Sequence, residues 1–232
     1  MRLVVAGVVL LSVYESVGAI ITAVGAPPRD EWIIAVERTI FPSMPPLVPL
    51  RLPPEVVDAF SIVYVAYFAL PVVLLAMLVR RGRLDDARSA MRTLLVAYYA
   101  HYAIYIVMPV VGPIRAADVP SDVRAQLSGE GGAVTHRLRQ AVDFLERTPQ
   151  DAFPSAHTSI AIIVAVLARR NRFRGQTFFA GAAAAIACST IVLGYHYIVD
   201  VAAALPLAWA ALRVGVPERT ALASAGVCSL PT

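Results

Sequence analysis

Two short stretches hold the residues best suited to chemistry. One is Phe153-Pro154-Ser155-Ala156-His157-Thr158, and the other runs Ser189-Thr190-Ile191-Val192-Leu193-Gly194-Tyr195-His196-Tyr197-Ile198-Val199-Asp200. Each sets a histidine at the edge of a long apolar run, and Asp200 follows His196 by four residues. On a helix that spacing brings both side chains to one face, where a carboxylate can hold an imidazole by one ring nitrogen. An imidazole held in one tautomer is a better nucleophile or base. Two histidines with an arginine and a serine nearby suit phosphoryl transfer. His196 would attack phosphorus and His157 would protonate the departing alkoxide. Arg115 would balance charge on the phosphoryl oxygens by bidentate hydrogen bonding. Ser155 and the amides at a helix start would donate to the same oxygens. The scheme needs no metal and no other cofactor, and the histidines and carboxylates show no metal-ligand spacing.

The elements that must position these groups read as membrane helices. The chain of 232 residues is 58% hydrophobic, and its mean hydropathy is +0.68. A soluble domain is nearer half apolar, so an all-α polytopic membrane protein in one domain is the expected class. The formal charge of +4 comes from arginine alone, since no lysine occurs. The arginines cluster in short loops between apolar runs, a pattern of membrane orientation rather than of nucleic-acid binding. Cys188 lies in an apolar run and Cys228 near the last residues, so no disulfide framework is expected.

Six spans are expected. The first covers Met1 to about Val24, long enough for a hydrocarbon core of about 30 Å at about 1.5 Å per residue. No small-residue cleavage site follows it, so it reads as a retained helix. Glu15 within it is either a site group or a structural carboxylate. Gly25 to Pro54 is rich in proline and reads as a surface loop, with Asp30 to Ile40 a helix along the interface. The second span is Val56 to Val79, with Asp58 near its start and a kink expected at Pro71. The third, Met91 to Val111, carries His101 and several tyrosines. Gly112 to Ala152 is a long polar connection, in which Thr135 to Arg147 has the pattern of an amphipathic helix. The fourth span starts at His157, the fifth covers about Phe178 to Leu193 with many alanines, and the sixth about Val199 to Val214.

With six spans, the arginine-rich loops at 80–92 and 169–174 fall on one side with both termini. By the bias of short basic loops that side is cytoplasmic. Arg115, His157 and His196 then share the outer face of a plasma membrane of bacterial type.

Pro154-Ser155-Ala156-His157 and Ser189-Thr190-x5-His196-x3-Asp200 resemble the second and third signatures of the type 2 phosphatidic acid phosphatase (PAP2) superfamily. That superfamily comprises metal-independent lipid phosphatases and phosphotransferases. The usual first signature, a lysine, six residues and Arg-Pro, is absent. In its place Pro109-Val110-Val111-Gly112-Pro113-Ile114-Arg115 resembles the Pro-x-x-Gly-Pro-Arg turn of the branch related to inositol phosphorylceramide synthases, with one residue inserted. Ala156 stands where glycine is usual and Thr190 where many members have arginine. The resemblance implies a six-helix bundle with His196 forming a phosphohistidine, Asp200 as its partner and His157 as general acid. It implies Ser155, with Ala156, Thr190 and Arg115, as the phosphate-binding set. The implied partners are a lipid phosphate substrate and membrane lipids, not nucleic acid. The implied reaction is lipid phosphate hydrolysis, or transfer of the group to an alcohol. A reading from another class, a non-catalytic transporter or lipid-binding bundle, would use Glu15, Asp58 and His101 as a polar pathway.

Overall fold

The computed structural model describes residues 2–42, 52–129, 131–145 and 149–215. Among these the chain is all-helical. In order the helices are α1 (Arg2–Val24), α2 (Asp30–Ile40), α3 (Pro54–Ala66), α4 (Ala69–Arg80), α5 (Leu84–Val107), α6 (Ser121–Gly129), α7 (Ala133–Leu145), α8 (Ala156–Arg170), α9 (Gln176–Val192) and α10 (Ile198–Gly215). Extended pairing among the described residues is confined to one isolated parallel bridge, Val110 with Asp151. Positions 43–51 of the proline-rich stretch, Arg147, Pro217, Arg219 and Cys228 lie outside the described residues.

The core lies where α4, α5, α8, α9 and α10 meet. Leu74, Leu78, Leu94, Ile160, Ile163, Val164, Ile186 and Leu212 fill it, with Ala90, Ala161, Ala168, Ala208 and Ala211 between them. Small residues at these contacts let helix backbones approach closely. α1 packs chiefly on α5, burying Val17 and Ile21 against Tyr102 and Tyr105. The opposite side of α1 points outward, with Val5 and Val8 exposed. An apolar helix with an apolar outer face fits a lipid surround.

Among the described residues, two helices are long and apolar enough to cross a membrane, Val5–Val24 and Ile198–Gly215. A third crossing is available if α3 and α4, bent by 47°, form one span. Length and apolarity therefore support two or three crossings, fewer than the six expected. The reason is geometric. α8 and α9 have 15 and 17 residues, roughly 22 and 25 Å at about 1.5 Å per residue, short of a core of about 30 Å. α5 has 24 residues, but its first turns carry Asp85, Asp86, Arg88 and Arg92.

The expected kink at Pro71 falls instead at Tyr67 and Phe68, between α3 and α4. Pro71 is the third residue of α4, in the first turn, where its missing N–H leaves no helical bond unmade. The long polar connection holds a helix that its patterning did not announce. α6 follows Pro120, has Asp122 in its first turn and ends at Gly129, so its end signals are better than its weak periodicity. α7 begins where Asp58 of α3 caps it. The carboxylate accepts from the Gly132 and Thr135 amides at 2.8 and 2.9 Å and from the Thr135 hydroxyl at 2.6 Å. Asp58 is thus a helix cap from a neighbouring element.

The arginine-rich loops meet at one end of the bundle. Arg83 Nη1 donates to the Asn171 carbonyl at 2.9 Å, and the Arg81 guanidinium lies 4.3 Å from the Phe173 ring centroid. The turns bearing Arg115, Ser155 and His196 gather at the other end, where α5 and α9 finish and α8 and α10 begin.

Candidate active site

Three turns build the site, and a short helix clamps them. The first is the turn after α5. Gly112 has φ of +82°, and a Cβ there would run into the carbonyl oxygen of Tyr195. Glycine is therefore required both by backbone conformation and by close approach. The Ile114 amide donates to the Gly194 carbonyl at 2.8 Å, which fastens this turn to the one carrying His196. Arg115 is delivered beside Tyr195, its guanidinium 5.9 Å from the ring centroid, and it also pairs with Asp143 of α7.

The second turn, between α9 and α10, closes with Gly194 in the left-handed region (φ +73°). The Thr190 carbonyl accepts from the Tyr195 and His196 amides at 3.0 and 3.1 Å. Its hydroxyl turns back to the Ala187 carbonyl at 2.8 Å. Thr190 therefore shapes the turn through its backbone, and its side chain serves α9. The expectation that His196 and Asp200 share a helix face is corrected: α10 starts at Ile198, two residues after His196. Asp200 instead sits in the first turn, and its Oδ2 accepts from the Tyr197 amide at 2.8 Å, one half of a capping box. Its Oδ2 still lies 3.4 Å from His196 Nδ1. The nearer partner of that nitrogen is the Ala152 carbonyl at 2.8 Å. A carbonyl only accepts, so Nδ1 carries a proton, and in the neutral ring Nε2 keeps its lone pair. That is the tautomer a nucleophilic imidazole needs.

The third turn precedes α8. Ser155 is the N-cap, accepting from the Thr158 amide at 3.2 Å, and its own amide donates to the Asp200 carbonyl at 3.1 Å. The Ser155 hydroxyl is thus used as a cap and is fully buried, whereas Ala156 and His157 line the cavity.

His157 lies within an aromatic enclosure. Its ring stacks on Tyr64 (centroids 4.3 Å, 22°) and tilts on Tyr67 (4.2 Å, 40°), with the Phe68 edge at 6.0 Å. The break between α3 and α4 is what turns Tyr67 and Phe68 toward it. Tyr64 also stacks on Tyr195 (4.6 Å), continuing the row toward Arg115. The His157 and His196 centroids are 5.7 Å apart, and both rings are nearly buried, 8% and 4% exposed. They face a cavity of about 330 Å³ whose wall includes Arg115, Ala152, Ala156, Tyr195, Asp151 and, from α1, Tyr14 and Glu15.

α2 clamps these turns together. The fully buried Asp30 accepts from the Val111 and Gly112 amides, both at 3.0 Å, and from the Tyr197 hydroxyl at 2.9 Å. Glu37 Oε1 accepts from the Val199 amide at 3.0 Å, satisfying one donor at the start of α10. Burial pushes the Asp30 carboxyl above the usual carboxylate range, opposed by hydrogen bonds from Val111, Tyr197 and Gly112. Replacing Asp30 by alanine should strand these donors and lower stability by about 2–4 kcal/mol. It should also loosen Arg115 against His196. Thermal unfolding in detergent, with turnover measured at a temperature where the variant stays folded, checks both.

The sequence reading placed Arg115, His157 and His196 at one site, and all three line this cavity. Asp200, Ser155 and Thr190 stand behind it as supports. Asp30, Glu37, Asp151 and the Tyr64–Tyr67–Phe68 set were not singled out. Asp151, two residues before Phe153-Pro154, and the i, i+3, i+4 aromatic spacing were the available signals. His101 is buried beneath the site, its Nε2 2.5 Å from the Ser159 hydroxyl. Glu15, Asp58 and His101 thus occupy separate surroundings. Among the described residues no group of three or more histidine, cysteine or acidic side chains is placed to hold a metal.

No curated protein and no solved structure matches the chain. A family model described as the PAP2 superfamily matches residues 31–214, a span that holds all three turns and α2 from its second residue onward, and the chain belongs to that superfamily.

Proposed function

We propose that the protein is a membrane lipid phosphatase that transfers the phosphoryl group of a lipid phosphate monoester through His196 to water. The substrate is of the phosphatidic acid, phosphatidylglycerol phosphate or polyprenyl phosphate type. The observation that carries this reading is the pairing of two buried rings 5.7 Å apart, one with Nδ1 committed to a carbonyl. His196 Nε2 attacks phosphorus, and the Asp200 carboxylate beside the ring offsets the charge that develops on it. His157 protonates the departing lipid alkoxide. Arg115 and the amides that open α8 hold the phosphoryl oxygens. Ser155, Ala156 and Thr190 shape that cradle rather than fill it. In this reading the bundle passes the membrane six times, two of the passes made by the short helices α8 and α9, so that both termini are cytoplasmic and the site faces outward. The meeting of the two arginine-rich loops at the end opposite the site supports this orientation.

One observation favours a second reading, in which an alcohol headgroup replaces water. The turn from Pro109 to Arg115 resembles that of the inositol phosphorylceramide synthase branch, and it docks directly on the His196 turn.

Purified protein given phosphatidic acid or a polyprenyl phosphate should release inorganic phosphate without added alcohol. EDTA should leave the rate within about twofold, because the residues supply the whole scheme. Release only when an alcohol is present would replace hydrolysis by transfer. Loss with EDTA, restored by a divalent ion, would contradict the metal-free chemistry.

A further inference from the structure

Two carboxylates at the wall of the cavity, Glu15 and Asp151, are left without a task by the two histidines, and of these Asp151 adjoins the residue whose carbonyl holds His196. Asp151 lines the cavity beside Arg115, His157 and His196. It adjoins Ala152, whose carbonyl holds His196 Nδ1, and its backbone bridges to Val110 just before the Arg115 turn. Its carboxylate is also reached from the far end of the chain: the Tyr14 hydroxyl of α1 donates to Oδ2 at 2.7 Å. A carboxylate next to a phosphate site repels the substrate unless its negative charge is put to use. His157, enclosed by Tyr64, Tyr67 and Phe68, has its ring faces occupied and serves the departing alcohol.

We propose that Asp151 is the general base for the second half of the reaction, taking the proton from the water or alcohol that attacks the phosphohistidine. This rests on the phosphohistidine reading above. In the step, an acceptor O–H gives its proton to the Asp151 carboxylate as its oxygen forms the new O–P bond. The P–N bond to His196 Nε2 breaks, and its electron pair returns to the ring nitrogen. The proton on Asp151 then leaves to solvent, and His157, which lost its proton to the alkoxide, regains one before the next turnover. Tyr14 orients the carboxylate and favours its ionised form.

The groups acting on Asp151 come from several elements: Tyr14 and Tyr102 from α1 and α5, Arg115 from the turn after α5, and His196 from the turn before α10. Glu15 lines the same cavity. Burial pushes the Asp151 carboxyl up, opposed by the Tyr14 hydrogen bond and the His196 and Arg115 charges. A base of this kind titrates closer to neutrality than a free aspartate, which suits it to take and release a proton each cycle.

The test is a single turnover with a fluorescent lipid phosphate in detergent, following alcohol and phosphate release separately in the full-length protein. For Asp151→Asn, alcohol should appear within about threefold of the wild-type rate. Phosphate should lag by about 10²-fold, the usual worth of a general base, and phosphohistidine should accumulate. Equal slowing of the two releases, or no slowing of either, overturns the proposal. Tyr14→Phe keeps the carboxylate but removes the donor that favours ionisation, so the acidic limb of phosphate release should move to higher pH. An unmoved limb also overturns it. His196→Ala separates the two failures. If that variant turns over normally, the phosphohistidine falls and Asp151's role with it. If it is inactive while Asp151→Asn slows both releases alike, only the role of Asp151 falls.

Discussion

His196→Ala should reduce phosphate release by at least about 10³-fold while leaving the fold intact. The size follows from losing the atom that bonds to phosphorus, since removing a nucleophile leaves only binding and electrostatic stabilisation behind. The fold should survive because the ring's polar anchorage is one hydrogen bond to the Ala152 carbonyl and a longer approach to Asp200. That bond is worth about 1 kcal/mol net. The turn itself is held by the Thr190 carbonyl and by the Ile114 amide on Gly194, neither of which needs the imidazole. Turnover and thermal unfolding of the same preparation decide the matter. Undiminished turnover in a folded variant would remove His196 as the nucleophile and the phosphohistidine with it.

The second large effect is expected at His157, and it should depend on the substrate. A general acid contributes about 10²–10⁴-fold when the departing oxygen is a poor leaving group and little when it is a good one. His157→Gln should therefore slow release from a lipid phosphate by at least about 10²-fold, but slow a nitrophenyl phosphate by less than about tenfold. The amide side chain roughly fills the slot between Tyr64 and Tyr67, so packing changes little. Equal losses on both substrates would mean that His157 acts by holding the site together. Its stacking on Tyr64 and Tyr67 makes that the natural competing account.

How far the sequence could be read depended on the range of the interaction. α2 was expected from Asp30 to Ile40 and lies there, because helical apolar spacing and an acidic first turn are local signals. The convergence of Arg115, His157 and His196 was also readable, since helix alternation sends the three turns to one end. The pairing of His196 with Asp200 was reached for the wrong local reason: a capping-box position, not a shared helix face, sets Asp200 beside the ring. What stayed hidden was long-range. Asp30 looked like an ordinary first-turn acid, and its partners lie 81, 82 and 167 residues away. The bend at Tyr67 and Phe68 escaped notice because Pro71 offered a stronger local explanation. The span count was read as six, whereas length and apolarity support two or three, because the apolar runs at α8 and α9 form helices of only 15 and 17 residues.

The most direct test is to quench the reaction of wild-type protein with a labelled lipid phosphate within its first turnover and locate the label. The account predicts an acid-labile, alkali-stable adduct on Nε2 of His196, absent from His196→Ala and formed at the rate of alcohol release. Turnover with no adduct at His196, or an adduct on another residue, would contradict it.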